Sequence, residues 1–117
     1  MSEDSDWLKT RQAHLDRKIV FIEDLIEERK ELHERHLKEL LEEDCALSTR
    51  FLQLQSRQFC LPQDLSTAGN IYSGQSRLAD QKRQFELNLW KEIAQFKQAM
   101  QDIKDEKSKL YQVNHGR

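Results

Sequence analysis

Residues 19–54 read IVFIEDLIEERKELHERHLKELLEEDCALSTRFLQL, and within them Ile19, Ile26, His33, Leu40, Leu47 and Leu54 recur at strict seven-residue spacing. Only a helix brings such positions to one face. A strict seven, in place of the slow drift of a 3.6-residue turn, implies a helix wound against another helix. A second ladder, Leu89, Phe96, Ile103 and Leu110, repeats the spacing towards the C-terminus. The single proline, Pro62, lies between the two ladders. The chain therefore reads as all-α: two long helices, about 5–60 and 76–113, forming an antiparallel coiled-coil hairpin or part of an oligomeric helical bundle.

Composition agrees. The 117 residues suit one small domain, here a single coiled-coil helical domain over 1–117, and 34% of them are charged while only 37% are apolar. A thin seam between helices needs fewer apolar side chains than a globular core. The formal net charge of −2 lacks the basic excess of a phosphate-binding domain or of a basic membrane-facing helix. No apolar run approaches the roughly 20 residues of a membrane-spanning helix. The acidic start, Met1 to Asp6, is neither a secretory signal nor a transit peptide. Two cysteines, Cys45 and Cys60, leave a reducing, cytoplasmic setting as the default.

The first helix opens at Ser5, a candidate N-cap, with Asp6 at the positive end of the dipole. Trp7, Leu8, Leu15, Ile19, Ile22 and Ile26 follow at mostly alternating four and three spacings. Val20 and Phe21 make Ile19–Ile22 apolar most of the way round, so this stretch needs more than one neighbour. It is either packed in a small bundle or a docking surface. From Glu23 to Asp44 the outer faces carry opposite-sign pairs such as Glu31–Arg35 and Glu34–Lys38, each worth about 0.2–0.5 kcal/mol. The apolar companions of the ladder change side near residues 29–36, which puts Arg29 and His36 at inward positions if the first register continues. Leu40, Leu47, Phe51 and Leu54 carry the seam onward, and Pro62 ends the helix near Phe59 or Cys60.

Residues 61–75, with Pro62, Gly69 and Gly74, read as the linker, and Ser73 or Ser76 as the cap of the second helix. The seam of that helix is Leu89, Ile93, Phe96, Met100, Ile103, Lys107 and Leu110, widened by Leu78, Phe85 and Trp90. Asn114 to Arg117 end it. With these bounds, antiparallel pairing sets 76–113 against roughly 24–59. The ladder Leu89–Leu110 then faces Leu37–Leu54, and Ser5–Glu23 overhangs. An overhang holding Trp7, Leu8, Leu15 and Ile19–Ile22 requires a partner. The candidate protein-interaction residues are therefore Trp7, Leu8, Leu15, Ile19, Val20, Phe21, Ile22 and Ile26.

No constellation reads as chemistry. His33 and His36 stand three apart, not in the His-Glu-X-X-His spacing of a zinc site, and read as histidines of a charged face. Cys45 and Cys60 are too far apart along one helix to pair. Trp7 and Trp90 read as packing residues. No catalytic, cofactor or metal site is expected, nor a small-molecule substrate or nucleic acid. The function that fits is a non-enzymatic scaffold or adaptor acting through a protein partner or self-association, with a cytoskeletal, centrosomal or ciliary, or trafficking complex as its setting. A prefoldin-like chaperone is the alternative. Its layout resembles this chain in length and helix–linker–helix order, but requires strand pairs in the linker, where no period-two alternation is visible. A helix pair binding nucleic acid or a membrane surface is weaker still, because each basic residue has acidic neighbours.

Overall fold

The computed structural model describes residues 3–115, and the side chains of 5–112. It consists of two helices, α1 (Glu3–Ser56) and α2 (Asp64–His115), packed against each other as an antiparallel hairpin. The second helix begins twelve residues earlier than expected: only 57–63 joins the helices, and the expected linker 61–75 is corrected to mostly helix. Gly69 and Gly74 lie inside α2. An interior glycine costs a helix only about 1 kcal/mol relative to alanine, and Ile71, 2% exposed, is part of the seam that offsets it. Ser73 and Ser76 are therefore interior residues, and so is Ser5, because α1 starts at Glu3. Gly116 and Arg117, expected to help end the second helix, lie outside the described residues.

The turn is built from a named helix stop. Phe59 N–H donates to the Leu54 carbonyl (3.2 Å) and Gln58 N–H to the Gln55 carbonyl (2.9 Å). This is the Schellman pattern, with Gln58 at the left-handed position after the helix. Its φ is 57°, and that of Phe59 is 52°. Phe59 then packs edge-on against Phe51, ring centroids 6.1 Å apart. Asp64, 1% exposed, closes the turn. One carboxylate oxygen accepts from Arg57 Nη2 at 2.7 Å, the other from the Leu61 amide at 3.0 Å. These bonds bind the end of α1 to the first residue of α2.

The helices pack in two compact units, Met1–Lys30 with Trp90–Arg117, and Glu31–Leu89. In the first, Arg11 bridges Glu106, Asp16 bridges Lys107, and Arg29 bridges Glu92. In the second, His36 stacks on Phe85 at 5.2 Å and Gln75 Nε2 donates to Ser48 Oγ at 2.9 Å. These pairings correct the expected alignment. The ladder Leu89–Leu110 is set against the N-terminal part of α1, and Leu40–Leu54 against the start of α2. Among the described residues the expected overhang is absent: α1 and α2 have 54 and 52 residues, and Leu8, Leu15, Ile19 and Ile22 are buried or half-buried.

The seam follows from burial. Along α1 the buried or half-buried side chains that form the seam are Leu8, Gln12, Leu15, Ile19, Ile22, Ile26 and Arg29, then His33, Leu37, Leu40, Asp44, Leu47, Phe51 and Leu54, with Ser5, Arg11, Leu25 and His36 half-buried beside them. Four and three alternate except at 29–33–37, where two fours follow in succession. Along α2 the same irregularity falls at 85–89–93, with Phe85 half-buried and Leu89 and Ile93 buried. A four-residue insertion of this kind locally unwinds a coiled coil. The change of side expected near residues 29–36 is this step.

Candidate protein-interaction surface

The eight residues singled out near the N-terminus divide by helical position. Leu15 is 0% exposed and Ile26 is buried, while Leu8, Ile19 and Ile22 are half-buried in the seam of the first unit. Those five pack within the hairpin itself. Trp7, Val20 and Phe21 point outward and are exposed, Phe21 at 64%. The second group, Leu40, Leu47, Phe51, Leu54, Leu89, Ile93, Phe96, Met100, Ile103 and Leu110, is half-buried or buried throughout. Trp90, placed at the seam edge in the sequence, is exposed, whereas Leu78 is buried and Phe85 half-buried.

Polar residues in the seam set its register. Arg29 keeps 18% of its side chain exposed and pairs with Glu92, and Lys107 pairs with Asp16. Partly exposed pairs of this kind are worth about 0.2–1 kcal/mol each, so they decide alignment more than stability. His33 is buried, its Nδ1 without a hydrogen-bond partner. His36 lies half-buried on Phe85. Both were expected on a charged face, and both belong to the packing of the second unit. Among the described residues, no group of three or more His, Cys, Asp or Glu is placed to hold a metal ion. Cys45 and Cys60 are exposed free thiols, and Cys60 Sγ donates to the Arg57 carbonyl.

The second unit carries a surface that the sequence reading passed over. Between Cys45 and Ser76 the only charged residues are Arg50, Arg57 and Asp64, in a chain that is 34% charged. One residue beyond the seam positions on each helix runs a second stripe. On α1 it is Leu41, Cys45, Ser48 and Leu52; on α2 it is Leu65, Gly69, Tyr72, Ser76 and Ala79. All nine are exposed, Leu65 at 75% and Tyr72 at 76%. Both stripes keep the alternation of four and three that helix pairing requires, and neither contains a charge.

The two stripes share one side of the unit. A groove of about 400 Å³ lies between them, lined by Leu37, Leu40, Leu41 and Asp44 from α1 and by Gln75, Leu78, Ala79 and Lys82 from α2. Gly69 adds a further sign. A Cβ there would meet nothing within 4 Å, so no contact within the chain explains a residue that costs a helix about 1 kcal/mol. Gly74 differs, since a Cβ there would come within 3.2 Å of Leu47 Cδ1.

No helix of the described residues is long and apolar enough to cross a membrane. Compared with protein-family models, curated proteins and solved structures, the chain matches none.

Proposed function

We propose that the chain is a non-enzymatic coiled-coil adaptor: a helical hairpin that joins a protein assembly by binding further helices on the outside of its own seam. The observation that carries the reading is the pair of charge-free, exposed stripes in the second unit. Buried seam residues explain how the hairpin holds itself together. They leave an exposed, charge-free series on each helix, with Leu41, Leu52, Leu65 and Tyr72 as its large apolar members, and exposed apolar surface of this kind marks interaction sites. Leu37, Leu40, Leu41 and Leu78 make up half of the lining of the groove between the stripes, with Ala79, Asp44, Gln75 and Lys82 as the rest, a mixture that suits an amphipathic helix. A cytoskeletal, centrosomal or trafficking complex in the cytoplasm is the setting we propose for such a module. The prefoldin-like alternative has no support in the turn, since no strand occurs among the described residues.

The test is affinity purification of the full chain from cells, comparing wild type with a Leu52→Glu, Tyr72→Glu variant by quantitative mass spectrometry. Both positions are exposed, so the hairpin itself should fold. A set of co-purifying proteins lost with the variant supports the reading; an identical set for both chains refutes it.

A further inference from the structure

We draw no further inference here: the strongest candidate, the exposed surface patch of Leu41, Leu52, Leu65 and Tyr72 beside the groove of the second unit, carries nothing beyond the adaptor reading, because nothing in the structure shows what covers it.

Discussion

Replacing Gln58 by glycine should stabilise the hairpin. Gln58 holds the left-handed position that ends α1, at φ 57°, and its backbone amide is committed to the Gln55 carbonyl. The side chain is exposed, so little packing is lost with it. A residue with a Cβ pays roughly 1–2 kcal/mol to sit in that region. Glycine pays almost none, but its freer unfolded chain returns about 0.4–1 kcal/mol of the gain. The net expectation is about 0.5–1 kcal/mol in favour of Gln58→Gly. At roughly 4 °C per kcal/mol for a chain of this size, the melting temperature should rise by about 2–4 °C. Gln58→Ala is the control: it keeps the Cβ and should behave like wild type. Thermal and urea unfolding followed by far-ultraviolet circular dichroism, at one fixed protein concentration, reads both. The same change at Phe59, φ 52°, would be confounded by loss of its ring contact with Phe51. If Gln58→Gly melts below Gln58→Ala, the turn is not held in the Schellman geometry and the reasoning fails.

Three further outcomes follow from the packing. Asp64→Ala removes two hydrogen bonds from a buried carboxylate and should cost about 2 kcal/mol, because bonds to charged groups are worth about 1.5–3 kcal/mol; urea unfolding measures it, and a loss below a few tenths would show that the clasp is dispensable. Leu15→Ala should cost about 2–4 kcal/mol, as for any fully buried leucine; a stable variant would return Leu15 to the exposed overhang that the sequence suggested. Arg11→Glu and Glu106→Arg should each lower stability slightly, and the double exchange should recover the loss. The coupling expected in such a cycle is about 0.2–1 kcal/mol, and its absence would place the pair out of register.

Much of this fold is readable in the residues, and the misreading has one source. The ladders Ile19–Leu54 and Leu89–Leu110 identify two helices, and Pro62 places the turn between them. Glycine then misleads. Gly69 and Gly74 suggest a long linker because glycine punctuates chains more often than it sits in helices. A stronger signal was present: Ile71, Leu78 and Phe85 are seven apart and continue the seam through the supposed linker. Missing it shortened α2 and shifted the alignment. That shift made Leu15 and Ile26 look like partner-binding residues. The outer surface is legible only in part. Trp7, Val20 and Phe21 stand out from their leucine-like neighbours, but the second stripe needs the true start of α2 before Leu65, Gly69 and Tyr72 fall on one line. Spacing sets His33 on the ladder, but His36 could not be assigned from spacing alone, since a seam step decides whether it faces inward.

That seam step has a further consequence. A perfectly regular heptad ladder is a ruler with identical marks, and one helix sliding past the other by seven residues would restore nearly every contact. The double fours at 29–33–37 in α1 and at 85–89–93 in α2 are unequal marks on both rulers. A slide by one heptad would lay an unwound stretch of one helix along a regular stretch of the other. It would also move Arg29 away from Glu92 and His36 away from Phe85. The irregularity thus acts as a notch that admits one alignment, a task that a uniform row of leucines, however well buried, cannot perform.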